Sequence, residues 1–375
     1  MEVRLCHEGP ERELVAEFCR RVFDVAPNAR ADAAVDSTLA NPYDAGPPPT
    51  AIAIHDGAVV GHVTSTPFRL WVNGVERPAH WLSGIHVLPE YRGQGVARQL
   101  AACITNALPL VTGVARVAPS LRAFIATNWV WPGKIADHIH IVNPGAFLRQ
   151  MSGERVERFV PRGFKTAADL ALRLFRGPLQ LGIRCWQRLR TVDAKFRHGA
   201  MLPFVEVANF ECNIDALWEQ EKSTFSLTHV RRAGYLNWQF PVAKGWQKVV
   251  WTAPAGVRAW AIFAIMEYRD GGQLHGLKAL NVVDALWDSG DPSTLDSLIS
   301  YFLHRAYIAG VDITMFSGDR PDLRRALSAA AFIKLPSTIY AGFGSQDQSD
   351  NFTELFPGSY ITRGYADAAG GLGPA

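Results

Sequence analysis

A chain of 375 residues is too long for one ordinary core and predicts about two domains, and its 48% hydrophobic and 19% charged residues give the balance of a soluble globular protein. No apolar run approaches the ~18 residues of a membrane span, and the first residues lack the basic-then-apolar pattern of a secretory leader, so a cytoplasmic protein is expected. The net charge of +3 is uneven: residues 151–200 hold eleven Lys and Arg against four acids, which leaves the rest of the chain acidic. The five cysteines show neither metal nor disulfide spacing and are expected as free thiols.

In chain order, Leu14, Phe18 and Val22 share one stripe and predict an amphipathic helix. Residues 31–50 read as a loop. Strand signals at 51–55 and 59–66 flank Asp56-Gly57, and signals at 68–72 and 75–77 flank Asn73-Gly74, the dipeptides of tight hairpins. This antiparallel meander feeds a strand over 81–88. The stretch IHVLPEYRGQGVARQL (85–100) then passes from strand through a glycine turn into a helix that ends near Leu108, before Pro109. A strand at 110–112, a helical pattern from Pro119 to about Thr127 and strands around 135–142 follow. Helical patterns at 166–175 and 179–196, separated by Arg176-Gly177-Pro178, predict a basic hairpin. An Arg-rich solvated face with its apolar side packed across the domains is favoured there over contact with a membrane surface or nucleic acid. Beyond it the order repeats: helix at 214–221, strands at 248–253, 257–268 and 278–284, helix at 295–309. PSLRAF at 119–124 is echoed by PDLRRA at 321–326, so a diverged tandem duplication is expected.

The glycine turn distinguishes among phosphate-binding designs. A P-loop needs Gly-Lys-Ser/Thr, and a dinucleotide fingerprint needs a third small residue where Arg98 stands; neither is met. What remains is Arg92-x-x-Gly95-x-Ala97, entered from a strand and opening a helix, with Gly93 and Gly95 letting backbone N–H groups approach an anion at the positive end of the helix dipole. A pyrophosphate suits it.

With Val87-Leu88-Pro89 ahead of Arg92 through Ala97, the sequence resembles the GCN5-related N-acetyltransferase (GNAT) superfamily over roughly residues 1–145, with weaker echoes over 201–365. The resemblance implies a mixed α/β fold of two GNAT-like domains, each a mostly antiparallel sheet flanked by helices. Residues 1–150 would form the acyl-CoA-binding domain, 151–200 a basic helical linker, and 201–375 a degenerate second domain. It implies acetyl-CoA as donor, with backbone groups of Ile85, His86 and Val87 along pantetheine and the amides of Gly93, Gln94, Gly95, Val96, Ala97 and Arg98 at the pyrophosphate. Arg92 adds charge, and Asn128 replaces the usual glycine before an aromatic residue, Trp129.

The chain also departs from the family. Trp81 and Ser83 occupy strand positions that commonly carry a base, and Phe124 stands where a tyrosine acid is usual. The catalytic candidates are therefore His86, Ser83 and Glu90, with His80 nearby. His86 faces opposite Ile85 and Val87, toward either an acceptor cleft or packing. His138 and His140 share a strand face without a third ligand, so no metal is expected. In the second copy, residues 282–292 replace glycines and arginine with Asp284, Asp288 and Asp291, which would repel pyrophosphate, and residues 231–240 either shape an acceptor pocket or pack on the sheet. The expected activity is N-acyl transfer from acyl-CoA to a small amine or amino-sugar acceptor. The alternatives are a FemAB-like aminoacyl transferase and a non-catalytic CoA sensor or scaffold.

Overall fold

Asp56 and Asn73 take positive φ (50° and 46°), each followed by a positive-φ glycine, and these two turns fold the chain into an antiparallel meander. The structure, a computed structural model, describes residues 1–6, 10–23, 41–43, 49–115, 122–124, 127, 129–150, 175–197, 204–268, 274–335, 337, 339–347 and 350–362. The chain runs through β1 (Glu2–Leu5), α1 (Pro10–Phe23), β2 (Thr50–His55), β3 (Ala58–Val72), β4 (Val75–Val87), α2 (Val96–Ala107), β5 (Leu110–Ala115), β6 (Val130–Lys134), β7 (Asp137–Ile141) and α3 (Pro144–Gln150). It continues with α4 (Arg176–Arg197), β8 (Val205–Val207), α5 (Asn213–Glu221), β9 (Leu227–His229) and α6 (Ala233–Gln239). Then come β10 (Gln247–Ala253), β11 (Gly256–Glu267), β12 (Lys278–Trp287), α7 (Pro292–Ile308), β13 (Ile313–Ser317), α8 (Pro321–Ala329), β14 (Ile333–Lys334), β15 (Tyr340–Ser345) and β16 (Ser359–Tyr360).

Two units divide these elements. Unit 1 takes Met1–Ile135, Asn209–Pro241 and the described residues from 337 to 362; unit 2 takes the described residues of Ala136–Ala208 and Val242–Pro336. The units thus interleave along the chain, unlike the consecutive 1–150, 151–200 and 201–375 segments of the sequence reading. The cause lies in two strands. In unit 1 the sheet order is β1-β2-β3-β4-β5-β15-β6, and in unit 2 it is β14-β7-β13-β12-β11-β10-β8. β15 sits between β5 and β6, and β7 sits between β13 and β14, each far in sequence from most of its sheet.

Starting from β1 and from β8, the two sheets repeat one pattern. Three antiparallel pairings lead to a parallel one, β4 with β5 or β12 with β13. Two more antiparallel pairings then involve the inserted strand. In unit 1, β3 extends to pair β9, which pairs β16.

In unit 1, Val96, Leu100 and Ile104 recur every four residues and turn one face of α2 into the core, where they meet Phe18 of α1, Val63 and Val111. In unit 2, Phe302 of α7 meets Phe263 and Phe316 edge to face at 5.2 and 5.6 Å. Three local differences from the sequence reading have simple causes. The strand signals at 59–66 and 68–72 merge into β3 because Pro67 is accommodated in the ladder opposite His80. β6 carries Trp131-Pro132-Gly133 and gives no alternating signal. The helix after Arg176-Gly177-Pro178 starts at Arg176, since proline in a first turn sacrifices no internal hydrogen bond. The pattern at 166–174 lies outside the described residues.

Candidate functional site

The site forms where β4 and β5 part. Among the described residues their ladder is confined to His80↔Val111 and Trp81↔Thr112. From Leu82 onward β4 stays with β3, through a bulge that sets Gly84 and Ile85 opposite Val63. The Leu88 amide donates to the Val60 carbonyl at 2.9 Å, so the Val87 carbonyl points to the other side, where Arg92 Nε donates to it at 3.1 Å. The edge of β4 away from β3 is therefore the side on which a second extended group would pair.

After Val87, a 3-10 turn (Pro89–Tyr91) and an extended Arg92 deliver the chain to Gly93 and Gly95, both with φ near 80°. This left-handed conformation requires glycine at the N-cap of α2, and a side chain there would be strained even though a Cβ at either position meets nothing within 4 Å. No side chain caps the helix and no acid sits in its first turn. The exposed loop presents an uncapped helix N-terminus, the arrangement that favours an anion. Arg98 is exposed in the first turn, Ala97 is half-buried, and Val96 is buried. Gln94 folds back to donate to the Glu90 carbonyl at 3.0 Å.

The corresponding loop of unit 2, between β12 and α7, supplies its own anions. Asp291 is the N-cap of α7 and accepts from the Ser293 amide at 3.0 Å, while Asp288 accepts from the Gly290 amide at 2.9 Å. Arg258 pairs with both carboxylates. The hydrogen bonds from Ser293 hold the Asp291 carboxyl below the usual carboxylate range, with help from Arg258.

The two faces of β3 and β4 differ. A Cβ on Gly61 would meet Leu100 of α2 at 3.1 Å and Val87 at 3.3 Å, so Gly61 and Val87 face α2. His62 and His86, paired across the ladder, face the α1 side: the His62 ring meets Phe18 at 5.2 Å, its Nε2 lies 3.2 Å from Cys19 Sγ, and its centroid is 5.8 Å from that of His86. Burial drives the His62 pKa down to about 3, with a further push from His86, and leaves Nδ1 without a hydrogen-bond partner. His86 is half-buried, and burial followed by the charge of Arg92 lowers its pKa, so its imidazole is neutral at pH 7. The sequence reading singled out His86 but not His62 or Cys19. The signal for His62 was the period-two alternation of β3, which puts it on the face opposite Gly61; Cys19 lies on α1 and carries no such signal.

The other candidates are dispersed. Ile85 and Val87 pack against the unit 1 core. Glu90 is exposed in the 3-10 turn. Ser83 pairs with Thr64 through the backbone, and its side chain lies outside the described residues, as does Asn128. His80 Nδ1 lies 3.3 Å from Ser65 Oγ. Phe124 is buried against Trp129 and Trp131, with ring centroids 4.5 and 6.3 Å apart. Trp129 donates to Thr105 Oγ1 at 3.0 Å, and the glycines of β15 make room for this aromatic cluster: a Cβ at Gly344 would lie 2.6 Å from the Trp129 nitrogen.

Residues 231–240 belong to unit 1. Arg231 is fully buried, donates to the carbonyls of His229 and Tyr360 at 3.0 and 3.2 Å, and stacks on the Tyr360 ring at 4.7 Å. Leu236 and Phe240 are buried as well, and Tyr235 stacks on Tyr43 at 4.9 Å. His138 and His140 are buried in unit 2, where His140 Nδ1 meets the Ala330 carbonyl. Among the described residues no three His, Cys, Asp or Glu side chains gather as a metal site.

The family model for an acetyltransferase (GNAT) domain matches residues 4–108. In structure the chain is similar to a protein of Enterococcus faecalis V583 described as a conserved protein of unknown function and probable N-acyltransferase. The identity is 13% and the TM-score 0.55, with 92% of this chain and 72% of that one covered. It is also similar to a GCN5-related N-acetyltransferase of Anabaena variabilis (13% identity, TM-score 0.57, 91% and 72% covered). A third likeness is to the N-myristoyltransferase of Saccharomyces cerevisiae with bound myristoyl-CoA (13% identity, TM-score 0.53, 92% and 79% covered). At these identities the likeness is one of fold. No curated protein matches the chain in sequence.

Proposed function

We propose, from the match of the acetyltransferase (GNAT) domain model to residues 4–108, that this chain transfers an acyl group, acetyl in the simplest case, from acyl-CoA to the amine of a small acceptor or amino sugar. The observation that carries this reading is the contrast between the two loops: glycines at positive φ leave the N-terminus of α2 uncapped, whereas Asp288 and Asp291 occupy the same place before α7. The pyrophosphate of the donor would sit on the amides from Gly93 to Arg98, and pantetheine would run along the β4 edge at Ile85–Val87, displacing Arg92 from the Val87 carbonyl. Arg92 is then free to meet phosphate.

In the transfer step the acceptor nitrogen attacks the thioester carbonyl. A C–N bond forms, the C–S bond breaks, and CoA leaves as a thiolate that takes a proton from water. His86, neutral and on the α1 face, is the group we assign to take the proton from the amine. Phe124 provides no phenol, so departure of the thiolate, whose pKa is near ~8.5, is unaided.

Titration calorimetry and a thiol-release assay on the full chain test this together. One acetyl-CoA should bind per chain. Gly95→Glu should abolish binding, through strain and negative charge at the anion site. His86→Gln should keep acetyl-CoA affinity within roughly twofold while lowering turnover by ~10²–10⁴-fold. Unchanged affinity in Gly95→Glu removes the loop from the reading. Binding without turnover for any amine would favour a CoA sensor, the second reading, which the buried Phe124 at the tyrosine position supports.

A further inference from the structure

Among the described side chains, α4 is held to unit 2 through the line of Ile183 and Gln187, and the helix also packs against α3 and α8. Ile183 packs against the core of Ile139, Ile141 and Met315, and Gln187, one turn on, donates to the Ile141 carbonyl at 2.6 Å. Beside that line at Leu179 and Trp186, and on the far side of the helix at Leu181, α4 carries exposed apolar side chains. Leu179, Leu181 and Trp186 are 41%, 63% and 36% exposed, and Phe175, just before the helix, is 57% exposed. Phe175, Pro178, Leu179, Gly182, Ile183 and Trp186 line a single open apolar groove.

Charge accompanies this face. The 22 residues of α4 contain five Arg and one Lys against one Asp, within a segment more basic than the rest of the chain. Arg184 is exposed, and helical spacing puts it beside the anchored line on the side opposite Leu179 and Trp186. No helix among the described residues is long and apolar enough to cross a membrane. An arc of Leu and Trp bordered by Arg is instead the pattern of a helix that lies in the headgroup layer. Phosphate contact alone, as in nucleic-acid binding, gives no reason to expose Leu181 and Trp186.

We propose that α4 docks this protein on an anionic lipid surface, with Leu179, Leu181 and Trp186 entering the acyl boundary and the basic side chains meeting headgroup phosphates. The proposal is independent of the acyl-transfer reading, because it concerns unit 2 and is read out without activity.

Flotation of the full chain with vesicles tests it, using phosphatidylcholine alone and phosphatidylcholine with roughly one-third phosphatidylglycerol, at about 150 mM salt. The protein should float with the anionic vesicles only. The double variant Leu181→Glu/Trp186→Glu should weaken binding by roughly tenfold or more. Arg184→Glu should weaken it about fivefold and flatten its salt dependence. Leu181 and Arg184 are exposed, so Leu181→Glu and Arg184→Glu taken singly should leave the melting temperature unchanged. Equal flotation with both vesicle types, no flotation, or flotation indifferent to the double variant would overturn the proposal. So would a dimer that the double variant disperses, which assigns the face to a second copy of the chain, or RNA that competes at the same salt.

Discussion

At the level of single residues, His62 shows how burial sets a proton balance. Its pKa falls from 6.5 to about 3 in the fold, chiefly because burial penalises the imidazolium. The unfolded chain therefore binds a proton that the folded chain refuses. Stability from this group is complete above pH 6.5 and is lost as pH falls toward 3, by about 1.4 kcal/mol per pH unit through the middle of that window. His138, lowered to about 4 by its own burial, adds a second contribution of the same sign. Urea unfolding at pH 7, 6 and 5 should show stability falling with acidity, and His62→Leu should remove about 0.7 kcal/mol of the loss between pH 7 and 6 and about 1.2 kcal/mol between pH 6 and 5, whatever it does to stability at pH 7. An unchanged slope would mean that His62 is protonated in the fold or solvated. The histidine face was only half legible in the sequence: alternation pairs His86 with an unknown cross-strand neighbour, and identifying that neighbour as His62 requires the hairpin register, which the bulge at Gly84 and Ile85 displaces by one residue.

At the level of elements, the two strand-loop-helix units use opposite solutions to one problem, the uncapped amides of a helix N-terminus. α2 has no side-chain cap, which on the proposed reading leaves its amides to the donor; α7 caps its own with Asp291. Asp291→Ala should therefore cost about 1 kcal/mol, the ordinary value of a lost N-cap, and somewhat more because Arg258 loses a partner. It should leave acetyl-CoA stoichiometry at one, since Asp288 still occupies the loop. Denaturant melts read the first effect and calorimetry the second; a stoichiometry of two would show that Asp291 alone closes the second loop. Both loops could be read from sequence because their chemistry is local, a run of glycines in one and of aspartates in the other. β6 was not legible. Its residues Val130–Lys134 include Trp131, Pro132 and Gly133, and what makes them a strand is pairing with β15 two hundred residues later, against which no local pattern can be written.

At the level of the whole molecule, the same nonlocality decides what can fold alone. A fragment of residues 1–150 keeps β5 and β6 but lacks β15, the strand between them, whose Gly342 and Gly344 seat Trp131 and Trp129. It also keeps β7, whose Ile139 and Ile141 are buried only in the unit 2 sheet, and loses β9 and β16 beside β3. A fragment of residues 201–375 has the reverse defect, a gap between β13 and β14 where β7 belongs and a spare β15. Each would expose more than two unpaired strand edges and a row of apolar side chains, the combination that drives aggregation. Division of the chain at the boundaries that the sequence reading implies should therefore give two fragments without a cooperative urea transition, and acetyl-CoA should not protect 1–150 against unfolding even though that fragment contains every loop residue from Ile85 to Arg98. Refolding the two together should restore a single sharp transition and acetyl-CoA binding, because each supplies the strand that the other lacks. A monomeric 1–150 fragment that melts cooperatively and binds acetyl-CoA would show that β15 is dispensable to the site, and that the exchanged strands join two domains already complete without them.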